Sequence, residues 1–123
     1  MALILVVDDS DIIRMMLREF LEAEGHQVLE AADGLQGVAQ AGQQTVDLAI
    51  VDIFMPGKEG LSTIKELKAA RPQLPVVAIS AGSTFTDTET LDWAKDYGAD
   101  RTMPKPLDRQ IVIATVRELL AAR

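Results

Sequence analysis

Short apolar runs alternate along the chain with longer amphipathic segments, and the alternation repeats about five times. A short run of aliphatic residues is typical of a buried strand, whereas apolar residues spaced three and four apart are typical of a helix. The predicted strands are Leu3 to Val7, Val28 to Ala31, Leu48 to Val51, Val76 to Ile79 and Arg101 to Met103. The pattern therefore predicts an α/β chain built from five strand–helix units.

The composition of the strands indicates their order in the sheet. The first, third and fourth are nearly unbroken apolar runs, as expected where helices cover both faces of a parallel sheet. The second carries Glu30, and the fifth carries Arg101 and Thr102, so these two strands are expected at the edges. The order 2-1-3-4-5 places them there. We therefore expect a flavodoxin-like, doubly wound sheet of five parallel strands with five helices.

The first two helices are predicted from apolar positions and from the residues at their ends. The first is expected to stop near Gly25, and the second to begin at a cap formed by Asp33 and to end at Gly42. The apolar stripe of the first helix consists of Ile13, Met16, Leu17, Phe20 and Leu21.

The third helix is predicted from about Leu61 to Ala70, with Ile64 and Leu67 facing the sheet. The fourth is expected to stop at Gly98. The last helix carries Ile111, Val112, Thr115, Val116 and Leu119. Because no linker or low-complexity segment divides the chain, residues 1–123 are expected to form a single domain.

The charge balance restricts the partners of this domain. The chain has 12 basic and 19 acidic side chains, a net charge of −7, which disfavours direct binding to nucleic acid or to anionic membranes. It has no cysteine for a disulfide scaffold or a thiolate zinc site. No basic signal region precedes the first apolar run, and no apolar run approaches the roughly 20 residues that span a bilayer. We expect a cytoplasmic protein with no membrane insertion.

Polar residues follow four of the five predicted strands. Asp8 and Asp9 follow the first strand, Asp52 the third, Ser80 the fourth and Lys105 the fifth. In an open parallel sheet, ligands bind at the carboxyl ends of the strands, near the switch in strand order. These side chains are therefore expected to converge on one crevice.

Three converging carboxylates need a compensating cation. At about 4 Å and an effective dielectric near 20, each pair would repel by roughly 4 kcal/mol. Oxygen ligands without His or Cys favour Mg²⁺ over zinc, and Lys105 supplies a second positive charge. A carboxylate can attack phosphorus and form an acyl phosphate when metal and ammonium neutralise the incoming oxygens. Ser80 could then donate a hydrogen bond to the phosphoryl group.

Five motifs stand in order at predicted strand ends or helix stops, a far more specific signal than an isolated Asp pair. They are Val7-Asp8-Asp9-Ser10, Asp52-Ile53-Phe54-Met55-Pro56-Gly57, Ile79-Ser80-Ala81, Gly98-Ala99-Asp100 and Pro104-Lys105-Pro106. Through them the chain resembles the response-regulator receiver family of two-component systems over essentially its full length. The resemblance implies a phosphoacceptor signalling domain without an attached output domain. Such a domain catalyses only its own phosphorylation and dephosphorylation.

The resemblance also implies a role for each site residue. Asp52 would be the phosphoacceptor and, with Asp9 and the Phe54 carbonyl, a direct ligand of Mg²⁺. Asp8 would reach the metal through water. The implied partners are a sensor histidine kinase or a histidine phosphotransfer protein as donor, and a downstream target protein.

The resemblance assigns roles to two further residues. Lys105 would contact the phosphoryl oxygens, with a cis peptide bond to Pro106, and Ser80 would be the hydroxyl switch.

One position departs from the family pattern. Thr102 stands three residues before Lys105, where the family usually has an aromatic residue that reports phosphorylation. Trp93 and Tyr97, spaced i and i+4 in the fourth predicted helix, are a candidate replacement if they are exposed. A buried Trp93 is the alternative. His26 is expected to be a solvated turn residue without a chemical role.

Two other functions were weighed. A haloacid-dehalogenase-type phosphatase needs a second acid two residues after its nucleophile, but Phe54 follows Asp52 and Ser10 follows Asp8 at that spacing. A flavodoxin-like flavin carrier needs a phosphate-binding loop of Gly, Ser and Thr after the first strand, and none is present.

Overall fold

The computed structural model describes residues 1–53, 59–80, 96 and 98–122, apart from the side chains of residues 59 and 80. Its five strands form one parallel sheet in the order β2-β1-β3-β4-β5. They are β1 (Leu3–Val7), β2 (Gln27–Ala31), β3 (Leu48–Asp52), β4 (Val76–Ser80) and β5 (Arg101–Pro104). The predicted strand order, with the second and fifth strands at the edges, is confirmed.

Four helices lie within the described residues. They are α1 (Asp11–Glu22), α2 (Gly34–Gln43), α3 (Glu59–Ala70) and α4 (Arg109–Ala122). The helix predicted to end at Gly98 falls largely outside these residues, so five helices were expected and four are described. Gly98 itself has a φ of 110°, a conformation that glycine adopts without strain. None of the described helices is long and apolar enough to cross a membrane.

The core has two layers, one on each face of the sheet. Successive strand residues point to opposite faces, so Leu5 and Val7 pack on one side and Ile4 and Val6 on the other. The first layer is completed by residues of α2 and α3, namely Val38, Ala41, Ile64 and Leu67. The second is completed by residues of α1 and α4, namely Leu17, Leu21, Val112 and Val116. Strands β1, β3 and β4 are thus buried on both faces, as their composition predicted.

The predicted helix ends at Gly25 and Asp33 agree with the structure, and the one at Gly42 differs by one residue. Gly25 follows α1 with a φ of 88°, and the Asp33 side chain accepts a hydrogen bond from the Gln36 N–H at the start of α2. The predicted stop at Gly42 is wrong, because α2 continues to Gln43. A glycine inside a helix costs only about 1 kcal/mol, and α2 tolerates it there.

One predicted side-chain environment is corrected, that of His26. Among the apolar residues that predicted the last helix, Ile111 is 49% exposed. The buried residues of α4 are Val112 and Val116, and adjacent helical residues point about 100° apart. His26 is half-buried rather than solvated, and its Nδ1 accepts a hydrogen bond from the Ala2 N–H. It lines a cavity of about 330 Å³ that also contacts α1 and α4.

Candidate functional site

The site lies where β1 and β3 end side by side. These strands are neighbours, with Val7 paired to Val51, so the residues that follow them emerge together. Asp8 comes directly after β1, and its N–H donates to the Ala31 carbonyl. Asp52 is the last residue of β3. The adjacency of two central strands therefore places the two carboxylates at one edge of the sheet.

Three carboxylates meet at this edge. Asp8, Asp9 and Asp52 each offer an oxygen, and these three oxygens lie within 4.8 Å of one another. Asp8 and Asp52 are buried, whereas Asp9 is exposed. The cluster thus has two buried carboxylates and one that is exposed to solvent.

Lys105 supplies the cation that faces the buried pair. Its Nζ lies 3.2 Å from Asp52 Oδ2 and 3.6 Å from Asp8 Oδ2. The lysine follows β5, and its peptide bond to Pro106 is cis, as the resemblance implied. By formal charge, three carboxylates and one ammonium leave two negative charges (3 − 1 = 2), the number that one divalent cation balances.

Asp8 is a buried carboxylate whose charge is incompletely compensated. Its Oδ1 accepts a hydrogen bond from the Ser10 N–H at 2.8 Å. Its Oδ2 is buried and accepts no hydrogen bond from the described residues. Burial raises the pKa of Asp8 to about 6, and the charges of Asp52 and Asp9 add to the rise, whereas the Ser10 N–H and Lys105 oppose it. The buried carboxylate is therefore under-compensated by the chain alone.

The residues present fit a hard divalent cation. All three converging ligand atoms are carboxylate oxygens, the ligands that Mg²⁺ prefers. Asp8 Oδ2 accepts no hydrogen bond from the described residues, and a cation beside it would add to the partial compensation by Lys105 at 3.6 Å. The cluster can therefore hold a metal ion.

Other predicted site residues are described only in part. Ser80 ends β4 opposite Pro104, but its side chain is outside the described residues. Phe54, Trp93 and Tyr97 also lie outside them, so the predictions for these residues stay predictions. Thr102 pairs with Ala78 between β5 and β4 and is half-buried.

Two glycines that the sequence analysis did not single out bring helices against the site. A Cβ at Gly60 of α3 would lie 2.2 Å from the Asp52 carbonyl oxygen. A Cβ at Gly37 of α2 would lie 2.7 Å from a methyl group of Val7, the residue before Asp8. An isolated glycine within a helical pattern is the sequence signal that could have indicated such close packing.

Known proteins match nearly the whole chain. A family model described as the response regulator receiver domain matches residues 4–117. Protein PilH of Pseudomonas aeruginosa is 37% identical over 123 residues, which cover 98% of this chain and 99% of PilH. The transcriptional regulatory protein CpxR of Klebsiella pneumoniae subsp. pneumoniae is 37% identical over 117 residues, covering 95% of this chain but 48% of CpxR. The chain thus spans nearly all of PilH and about half of CpxR.

Solved structures also match nearly the whole chain. The receiver domain of NtrX from Brucella abortus has a TM-score of 0.89 at 32% identity, covering 98% of this chain and 99% of that chain. A CheY-like response regulator receiver domain protein from Methanospirillum hungatei has a TM-score of 0.89 at 26% identity, covering 99% of this chain and 95% of that chain.

Proposed function

The chain belongs to the response regulator receiver family, the phosphoacceptor domains of two-component signalling, and on that premise we propose that Asp52 is its phosphoacceptor. One observation carries the assignment of the residue. Asp52 is the carboxylate of the acidic cluster that accepts a hydrogen bond from the Lys105 ammonium, at 3.2 Å, whereas Asp8 Oδ2 lies farther from it, at 3.6 Å. An incoming phosphoryl group at Asp52 would therefore meet positive charge on arrival.

In the proposed reaction, a carboxylate oxygen of Asp52 attacks the phosphorus of the donor. A new O–P bond forms, and the P–N bond of a phosphohistidine or the P–O bond of an acyl phosphate breaks. The electron pair of the broken bond leaves with the donor group, and Asp52 becomes an acyl phosphate. Lys105 holds the phosphoryl oxygens through its ammonium group. Catalysis of phosphoryl transfer depends mostly on positioning the reactants and on stabilising negative charge. In this proposal Asp52 is the positioned nucleophile and Lys105 stabilises the charge.

A divalent cation is part of the proposal. Asp9, Asp52 and the Phe54 carbonyl would hold Mg²⁺ directly, with Asp8 reaching it through water. When bound, Mg²⁺ neutralises negative charge on the transferring phosphoryl group. The orphaned Oδ2 of Asp8 supports a cation here.

The response to phosphorylation is proposed to be a changed protein-binding surface. The Ser80 hydroxyl would donate a hydrogen bond to the phosphoryl group and so link the site to the end of β4. A sensor histidine kinase or a histidine phosphotransfer protein would be the donor, and a downstream protein would read the change. The cytoplasmic location expected from the sequence belongs to the same proposal.

The two alternatives lose support at this site. The residue two positions after Asp52 is Phe54, so a phosphatase of the haloacid-dehalogenase type would lack its leaving-group acid. A flavin carrier would have to bind a flavin phosphate, but the described part of this edge presents three carboxylates, and the sequence after β1 is Asp8-Asp9-Ser10 rather than a loop of Gly, Ser and Thr.

The test is phosphorylation by a small acyl phosphate donor with Mg²⁺, followed by intact mass. The parent should gain one phosphoryl group, and Asp52→Asn should gain none. Asp33→Asn is the matched control, because Asn replaces Asp well as a helix cap and Asp33 lies on the loop before α2. Labelling of Asp52→Asn at the parental rate would rule out Asp52 as the acceptor.

A further inference from the structure

Arg14 of α1 reaches from the helix into the loop that carries two of the carboxylates. Its side chain is only 12% exposed. The guanidinium Nη1 donates to the Asp8 carbonyl oxygen at 2.5 Å, and Nε donates to Glu30 Oε1 at 3.1 Å. Its Nη2 forms an ion pair with Asp11. One planar group thus joins the β1–α1 loop, strand β2 and the start of α1.

The carbonyl that Arg14 contacts belongs to the peptide unit that joins Asp8 to Asp9. Since a peptide unit is planar, a hydrogen bond to its oxygen restrains the backbone rotation of both residues. The same loop is held on its other side, where the Asp8 N–H donates to Ala31 and the Ser10 N–H donates to Asp8 Oδ1. Arg14 adds a restraint at the Asp8 carbonyl.

Glu30 aligns the guanidinium from the neighbouring strand. Its Oε1 accepts from Arg14 and its Oε2 accepts from Arg18, at 2.6 Å. The hydrogen bonds from Arg18 and Arg14 lower the pKa of Glu30, against the effect of burial, and so keep it charged. A rigid guanidinium fork held by a carboxylate presents its remaining donors in a defined direction. For Arg14 that direction is the Asp8 carbonyl.

We propose that Arg14 is a positioning residue for the divalent-cation site, holding the Asp8–Asp9 peptide so that both carboxylates face Asp52. The assignment is built on the proposed function, in which these carboxylates serve a bound cation. Arg14 contacts the backbone of the site, whereas Lys105 contacts its carboxylates. Its role is therefore distinct from that of the lysine.

The sign of the effect separates positioning from electrostatics. Arg14 carries a positive charge close to a site for a cation, so its removal would by Coulomb's law strengthen cation binding. Loss of a positioning contact acts in the opposite direction, because the carboxylates would have to be ordered when the metal binds. Weaker binding in a variant without the charge is therefore a signature of positioning.

The experiment is a Mg²⁺ titration of the unphosphorylated protein, followed by the NMR shift of the Ser10 amide. Arg14→Gln should raise the Kd about tenfold, the lower end of what second-layer residues of metal sites cost. Arg18→Gln is the matched control, because Arg18 shares Glu30 but donates to the Val28 carbonyl instead of Asp8. Its Kd should stay within about twofold of the parent, below the range seen for second-layer residues.

Arg14→Lys gives a second, conservative variant. A lysine keeps the charge but lacks the forked guanidinium group that reaches Asp8 and Glu30 together. The Kd of Arg14→Lys for Mg²⁺ should therefore lie between those of the parent and of Arg14→Gln. If Arg14→Gln does not fold, the same titration of Arg14→Lys decides, with a raised Kd expected.

Three results would contradict the positioning role of Arg14 or the proposed function. Binding by Arg14→Gln that is as tight as the parent's, or tighter, would overturn the positioning role. So would equal weakening in Arg18→Gln, which would trace the effect to Glu30 or to α1 as a whole. A parent that does not bind Mg²⁺ would instead overturn the proposed function.

The phosphorylation rate provides a further readout. With a small acyl phosphate donor, Arg14→Gln should be slower than the parent at low Mg²⁺, and saturating Mg²⁺ should largely restore the rate. A deficit that persists at saturating Mg²⁺ would contradict a role exerted through metal affinity.

Discussion

Lys105 donates a hydrogen bond to Asp52 across 53 positions of sequence, with Nζ 3.2 Å from Oδ2. The ammonium faces a carboxylate that is 1% exposed, so it offsets a buried negative charge. Lys105→Met should slow phosphorylation by a small acyl phosphate roughly 100-fold at saturating Mg²⁺, comparable to the loss of one donor to a developing charge. Mg²⁺ itself should bind more tightly, because a competing cation is gone. A parental phosphorylation rate would contradict the role of Lys105.

The buried Asp8 predicts an unusual dependence of stability on pH. Its pKa in the folded protein is raised to about 6, whereas an ordinary carboxyl group has 3.8. The folded state therefore binds this proton more tightly than the unfolded state, and the free energy of unfolding falls as pH rises from about 4 through 6. Without metal, Asp8→Asn should gain stability relative to the parent by on the order of 2 kcal/mol between about pH 4 and pH 7.5.

Urea unfolding with EDTA measures this difference at each pH. The pKa of Glu30 is lowered in the folded protein, so its contribution to the free energy of unfolding is lost as pH falls. Asp8→Asn and the parent both contain Glu30, so this contribution cancels in the difference between them. A difference between Asp8→Asn and the parent that does not change with pH would contradict the prediction.

The acidic cluster predicts that Mg²⁺ stabilises the folded chain. At about 100 times its dissociation constant, a ligand of the folded state alone adds roughly 2.7 kcal/mol. Asp9→Asn should reduce this gain, since it removes the exposed carboxylate of the cluster, whereas Asp33→Asn should leave it unchanged. Thermal unfolding over a range of millimolar MgCl₂ provides the measurement. A melting temperature of the parent that Mg²⁺ does not move would argue against the metal site.

Close packing at Gly60, beside the proposed acceptor Asp52, predicts a loss of stability when a side chain is added there. An added Cβ would lie 2.2 Å from the Asp52 carbonyl oxygen and 2.5 Å from Ile53 Cα, and backbone cannot move aside as a flexible side chain can. Gly60→Ala should lower the free energy of unfolding by about 1–3 kcal/mol. Gly42→Ala is the control, because nothing lies within 4 Å of its Cβ position in α2, and it should stabilise by about 0.5–1 kcal/mol. Similar effects of both substitutions would contradict the packing argument.

The strands and their order could be predicted from the sequence, because a strand that is buried on both faces is a nearly uninterrupted apolar run. Val51 and Val77 lie within nearly uninterrupted apolar runs, and the exceptions at Glu30 and Arg101 mark the edges. The convergence of Asp8, Asp9, Asp52 and Lys105 followed from the same rule, since parallel strands end at one edge.

The details that depend on close packing were not accessible. Gly42 and Gly25 are the same residue type, but only Gly25 adopts a positive φ, and sequence alone does not distinguish them. The contact between Arg14 and the Asp8 carbonyl gives no periodic signal, because a side chain that reaches a backbone oxygen has no fixed spacing. His26 was misjudged for a related reason: its partner, Ala2, lies 24 positions away.

The orphaned oxygen of Asp8 has a consequence for protein engineering. A laboratory selection for heat resistance in metal-free buffer would reward neutral residues at this position, because they remove a buried charge that the chain leaves poorly compensated. The selected variants would be more stable but would have lost part of the proposed metal site. Thermostable variants of this domain should therefore be selected with Mg²⁺ present throughout, so that thermal stability and Mg²⁺ binding are selected together.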